Sequence, residues 1–168
     1  MKNNSMNSTP ETMETVMTPE NVLKHWQGHR NLTRRTIDAF PEDKLFTFSV
    51  GGMRPFSELA LEMIHMAGPG IVGVVTRKWQ AFGESVPAKP TTKSELLKQW
   101  DEVTAIIDEN WPKIPEGRFQ EVDVAFGQYE GPIHWLLFYL IDNEIHHRAQ
   151  GYVYLRALGI QPPPFWER

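Results

Sequence analysis

The densest chemistry in the chain lies between Tyr139 and Gly159, in the run YLIDNEIHHRAQGYVYLRALG. Two adjacent histidines, an Asn and a Glu stand there on a segment that otherwise reads as a buried helix. Leu136, Leu140, Asn143, His147, Gly151, Tyr154 and Leu158 recur at spacings of three and four. That period puts all of them on one face of a helix, so Asn143 and His147 sit one turn apart within a mostly apolar stripe. A buried amide or imidazole left without a partner costs about 1–3 kcal/mol. Each must therefore meet a metal ion, a ligand or another side chain. His65 raises the same question in an earlier segment, where the stripe Leu61, His65, Gly68, Val72, Val75 and Trp79 points it toward the core. Two inward histidines on different helices suit a metal site, because bundle cores build such sites from facing side chains. Imidazole accepts Zn, Ni, Fe and Cu, so the ligand type does not choose the ion. The alternative for each His is a core residue hydrogen-bonded to a neighbour.

Other constellations are weaker. Glu62-x-x-His65 and Glu144-x-x-His147 share the Glu-x-x-His pattern of di-iron bundles. Such sites also need one Glu from each of two further helices. Glu102 could serve on one of them, but the first helix has no carboxylate between Glu20 and Asp38. Glu62 and Glu144 are then expected to face solvent or a subunit contact. His25 and His29 stand four apart, a spacing at which two imidazoles can meet one ion. No Glu follows His25 in the zinc-protease pattern, and a half-exposed polar face is the expected reading, with His29 able to line the cavity. His134 and His146 fall on other faces as structural or surface residues. There is no Gly-rich phosphate loop followed by Lys, no G-x-S-x-G elbow and no dinucleotide fingerprint.

Helices must position these residues. Residues 1–18 have little to bury and are expected to form a mobile tail; residues 19–168 are expected to form a single domain. Thr18-Pro19-Glu20 reads as a helix start, and the apolar periodicity predicts helices over 19–40, 55–82, 92–110 and 131–158. A disturbance is expected at Pro69, which lies inside the second. Gly83 to Pro90 reads as a linker, and Pro112 to Gly131 as a long connection with some extended character. Gly159 fits the left-handed position after a helix, and the prolines at 162–164 forbid continuation. The expected fold is all-α: a four-helix bundle with a long connection before the last helix. The 168 residues suffice for one sizeable core. A net charge of −4 with scattered basic residues offers no footprint for nucleic acid. With no cysteine there is no disulfide and no thiolate site. No uninterrupted apolar run reaches the roughly 20 residues that span a bilayer, and the N-terminus has no apolar signal core. A cytoplasmic location is the default expectation. Leu136–Ile141 is apolar almost all round, which suits a central or subunit-paired helix.

The segment NEIHHRAQGYVYLRALGIQPPP resembles the last helix of the DinB-like proteins, the damage-inducible family that includes the YfiT-like metal-dependent hydrolases. Members commonly read H-E-x-x-H-R-G-Q there, and an earlier histidine arrives in a helix after a loop, as in SELALEMIH here. Trp26 followed by Arg30 and Thr33 is also similar to the family. The resemblance implies a four-helix bundle, a homodimer, and a divalent metal such as Zn or Ni held by three histidines. By position it makes His65 the first ligand and His147 the third. Asn143 stands in place of the second histidine, and Ala149 in place of the Gly. An amide oxygen is a weaker ligand than imidazole for these ions. Relatives include thiol-dependent S-transferases and a maleylpyruvate isomerase that uses a small thiol. The implied function is a metal-dependent transferase or hydrolase acting on a small molecule, with a small thiol as cosubstrate and His29, Gln150 or Tyr154 orienting the substrate. The alternative is a non-catalytic dimeric bundle, serving in binding or stress response, whose metal site has decayed at Asn143.

Overall fold

The computed structural model describes residues 16–81, 84 and 88–168. Five α-helices and one hairpin follow in order: α1 (Pro19–Ala39), α2 (Glu42–Thr47), α3 (Phe56–Thr76), α4 (Lys93–Asn110), β1 (Val122–Ala125), β2 (Tyr129–Pro132) and α5 (Ile133–Ala157). Short 3₁₀ turns at Trp111–Lys113 and Arg118–Gln120 lead from α4 into the hairpin. The fold is an all-α bundle, as the periodicity predicts. The expected tail falls largely, and the expected linker partly, outside the described residues.

Local signals set the helix ends. Thr18 Oγ1 accepts from Asn21 N at 3.3 Å, with Pro19 opening α1. Thr92 and Glu95 form a reciprocal capping box at the start of α4. Gly159, at φ +77°, ends α5; its N–H donates to Arg156 O and that of Ile160 to Leu155 O, which satisfies the last carbonyls.

Three expectations need correction. The second predicted helix stops at Thr76 rather than 82, because Arg77 takes the left-handed conformation at φ 60°. The same helix runs unbroken through Pro69. Gly68 and Gly70 flank that proline and carry no side chains to add to the crowding its ring causes. A short helix, α2, lies where only a loop was expected; two prolines, Pro41 and Pro55, bracket it and its following turn.

Around the bundle the order is α1, α4, α3, α5 and back to α1, with the main helix contacts between those neighbours. α3 and α5 run antiparallel. Gly70 lies against Leu140 near one end and Gly151 against Phe56 near the other. A Cβ on Gly151 would come within 2.4 Å of the Phe56 ring, so bare backbone there lets the helices close on each other. α3 is long and apolar enough to cross a membrane by composition, but 67% of that stretch is buried, as befits the bundle's central helix. Trp26, Trp100, Phe56, Ile64, Ile71 and Leu155 are among the core side chains. Each such burial contributes about 1.5–3 kcal/mol.

Candidate functional site

The stripe read from the sequence on α5 is real. Leu136, Leu140, His147, Gly151 and Tyr154 are buried, and Asn143 and Leu158 are half-buried. On α3 the predicted stripe is only partly buried: Leu61 and Gly68 are buried and His65 and Val75 half-buried, but Val72 is 37% exposed, and the deeper face runs through Leu59, Ala60, Met63, Ile64, Ala67, Ile71 and Val74. Glu62 and His65 are both half-buried on α3, and Glu62 is hydrogen-bonded to α5.

Glu62 is the hub of the site. Its Oε1 lies 2.9 Å from His147 Nε2 and accepts from Asn143 Nδ2 at 3.3 Å. Its Oε2 accepts from Arg54 Nη2 at 2.6 Å. Burial alone would raise the Glu62 carboxyl, but the hydrogen bonds from Arg54, His147 and Asn143 outweigh it and hold the group below the ordinary carboxylate value. The other ring nitrogen of His147, Nδ1, lies 3.2 Å from Gln150 Oε1, and Gln150 Nε2 lies 3.1 Å from His146 Nε2 at the surface. With Nδ1–H donating to Gln150, Nε2 is directed at the carboxylate. A proton or a cation between Nε2 and Oε1 is what that pairing requires.

The structure thus joins Asn143, His147 and Gln150, and adds Glu62 and Arg54. No hydrogen bond joins His65 to this cluster. Its Nε2 is buried without a hydrogen-bond partner, and burial pushes the imidazole below its ordinary value. Tyr154 touches the site through Arg54. Its hydroxyl donates to Arg54 O at 3.0 Å and its ring packs edge-on to Phe48, so it anchors the segment that presents Arg54. The sequence expectation of solvent or a subunit contact for Glu62 follows from the incomplete di-iron pattern, and the structure instead bonds Glu62 to His147 and Asn143. An apolar stripe through 59, 63, 67, 71 and 74 is the signal for the deeper face of α3, but it does not announce that contact.

His29 belongs to a second polar cluster, across the bundle. It is 4% exposed, against the half-exposed face expected for the His25–His29 pair; only His25 is exposed. Arg148 Nη2 donates to His29 Nδ1 at 2.9 Å, and His25 Nε2 lies 3.2 Å from His29 Nε2. Burial, then Arg148, His25 and Arg168, push His29 down to about 3. Glu144, also expected at the surface, is 2% exposed. It accepts from Thr33 Oγ1 at 2.7 Å and pairs with Arg30 at 3.6 Å and Arg148 at 3.8 Å. Arg30 in turn lies 3.4 Å over the Trp100 ring and donates to Trp100 O at 2.8 Å. Desolvation pulls Arg30 down to about 10 against the pull of Glu144. This network clamps α1, α4 and α5 together and fixes the rotation of α5 that turns Asn143 and His147 toward α3.

Among the described residues, no three His, Asp, Glu or Cys side chains form a metal-holding group. The site offers instead one carboxylate and one imidazole, while Asn143 gives its amide N–H to the carboxylate; turned over, that amide presents its oxygen. The 2.9 Å between Glu62 Oε1 and His147 Nε2 is a hydrogen-bond distance; it is close to the span of about 3 Å between two donors at right angles on an octahedral ion and short of the about 3.4 Å on a tetrahedral one. Gln150 behind Nδ1 supplies the outer hydrogen bond that orients ligating imidazoles.

The sequence model of the DinB family matches residues 6–168. No curated protein matches in sequence. Among solved structures, the chain is similar to a DinB-like protein from Bacillus cereus at 19% identity and a TM-score of 0.70, covering 86% of this chain and 95% of that one. It is similar to a DinB-like protein from Bacillus subtilis at 20% identity and a TM-score of 0.71, covering 88% and 99%. It also resembles a mutant of a mycothiol-dependent maleylpyruvate isomerase at 12% identity and a TM-score of 0.63, covering 80% of this chain and 60% of that one. At these identities the likeness is one of fold. The family match spans nearly the whole chain, and the chain belongs to the DinB family.

Proposed function

We propose that this protein binds one divalent cation between α3 and α5 through Glu62, His147 and Asn143, and acts as a metal-dependent transferase or hydrolase on a small molecule, with a small thiol as cosubstrate, in a cytoplasmic homodimer. The observation that carries the reading is the convergence of His147 Nε2 and the Asn143 amide on one oxygen of Glu62. When bound, such an ion lowers the pKa of a coordinated water or thiol and polarises a substrate oxygen. Around it, Arg54 holds Glu62 ionised and in place, and Gln150 fixes the tautomer and tilt of His147. With the Asn143 amide turned over so that its oxygen replaces the N–H now given to Glu62, one imidazole and two oxygen donors make a harder set than three imidazoles, so preference for Zn²⁺ and Ni²⁺ over Mn²⁺ should narrow. The subunit contact would use Ile145, Ala149 and Val153, which lie exposed along one face of α5.

Asn143 favours a second reading, a non-catalytic dimeric bundle whose metal site has decayed. Calorimetric titration of Zn²⁺, Ni²⁺ and Mn²⁺ separates the two. The first reading expects one site in the wild type, weakened at least tenfold by His147→Ala and Glu62→Gln, unchanged by His65→Ala, and tightened by Asn143→His. An inert wild type with a tight Asn143→His variant supports the decayed site. No binding by either removes the cation from the account.

A further inference from the structure

Glu62, Asn143 and His147 lie between α3 and α5, and the same two helices help to wall a pocket farther along. Toward the C-terminal end of α3 and the N-terminal end of α5, that pocket is walled by Met66, Val74, Trp79, Phe126, Trp135 and Tyr139. No charged side chain lines it. Two features show that the walls are built rather than left over. Each indole lies on bare backbone: a Cβ on Gly73 would come within 2.3 Å of Trp79, and one on Gly131 within 2.7 Å of Trp135. Phe126, at φ 54°, holds a left-handed conformation that bulky residues rarely adopt. It does so at the head of the hairpin turn, where its ring is 7% exposed and meets Trp79 edge-on at 5.6 Å. Backbone strain of this kind persists where the surroundings fix it, and it gathers at functional sites. Trp135 and Tyr139, by contrast, remain 50% and 45% exposed at the mouth.

We propose that this pocket takes the neutral aryl end of a small-molecule ligand whose polar end reaches Glu62, Asn143 and His147. The proposal rests on the site described under the proposed function and names the ligand class for it. Met66 follows Glu62 by four residues and Tyr139 precedes Asn143 by four, so the pocket edge lies about 6 Å along each helix from the polar cluster. A ring on a tether of about three to five atoms spans that distance. Aromatic faces and edges accept an aryl ring in offset or edge-on contact.

Two arms test this. In the first, protein loaded with Zn²⁺ is titrated with 4-phenylbutanehydroxamate and with acetohydroxamate. The phenyl compound should bind at least tenfold tighter, and Trp135→Ala or Tyr139→Ala should remove most of that gain without changing acetohydroxamate affinity. Circular dichroism confirms that each variant is folded. In the second, metal-free protein is titrated with 4-phenylbutanol while the indole N–H signals are followed by NMR. The signals of Trp79 and Trp135 should shift and saturate whether or not the protein binds metal, which separates this proposal from the cation reading. Equal binding of the two hydroxamates, or unmoved indole signals, overturns it. So do Trp135 signals that shift with protein concentration alone, which would mean that a second copy covers the pocket.

Discussion

At the scale of single residues, the protein keeps its strongest electrostatics inside. Glu144 satisfies Thr33, Arg30 and Arg148 together while almost wholly buried. Removing one member of such a group leaves the others charged and unpaired, a cost of about 3–5 kcal/mol. Glu144→Ala should therefore lower the unfolding free energy by about that much in urea titrations, and a loss below about 1 kcal/mol would show that the network is slack. His29 predicts a pH dependence. Its folded value lies near 3, below the unfolded value of about 6.5, so between those limits the unfolded chain binds a proton that the folded protein refuses. Stability is then intact above about pH 6.5 and falls as the pH drops, by up to about 1.4 kcal/mol per unit. His65, also held low, acts in the same direction. Urea midpoints at pH 7 and pH 5 should show a shallower slope for His29→Gln than for the wild type; equal slopes would contradict the burial of a neutral His29. These residues were the least legible in the sequence. Asn143 and His147 announce themselves as polar breaks in an apolar stripe. Arg30, Thr33 and Arg148 look like ordinary surface polarity until three helices are brought together, because long-range pairing leaves no local pattern.

At the scale of elements, the helices and their ends are mostly written in local chemistry. Thr18-Pro19, the Thr92/Glu95 box and Gly159 each mark a boundary that the backbone respects. The rotation of α3 about its own axis is not so marked. Apolar residues ring much of this central helix, since α1, α2, α4 and α5 all touch it. Several stripes fit the sequence equally well, and none of them announces that Glu62 is hydrogen-bonded to α5. Pro69 shows the same limit: its local propensity argues for a break, and burial between two neighbours overrides it. The close approach of α3 and α5 gives a test at this scale. Gly151→Ala places a methyl within 2.4 Å of the original Phe56 ring position, and overpacking of this kind costs about 1–3 kcal/mol. The variant should unfold at lower urea, and pairing it with Phe56→Leu should recover part of the loss. An unchanged midpoint for Gly151→Ala would mean the helices are not in contact there.

At the scale of the whole molecule, one groove between two antiparallel helices carries the proposed chemistry, and the opposite side of α5 carries the ion network that holds its orientation. The outward face of α5 leaves Ile145 36% and Val153 53% exposed. If that face joins two copies, light scattering should give twice the 19.4 kDa chain mass, and Val153→Glu should reduce it to one. A wild type that stays monomeric at high concentration would remove the subunit contact. The central claim is that Glu62, rather than His65, completes the cation site with His147 and Asn143. An anomalous difference map from crystals soaked in manganese tests it most directly. The account predicts a single strong peak within bonding distance of Glu62 Oε1 and His147 Nε2, with Asn143 beside it. A peak bound by His65, one at His25 and His29, or no peak in the groove would contradict it.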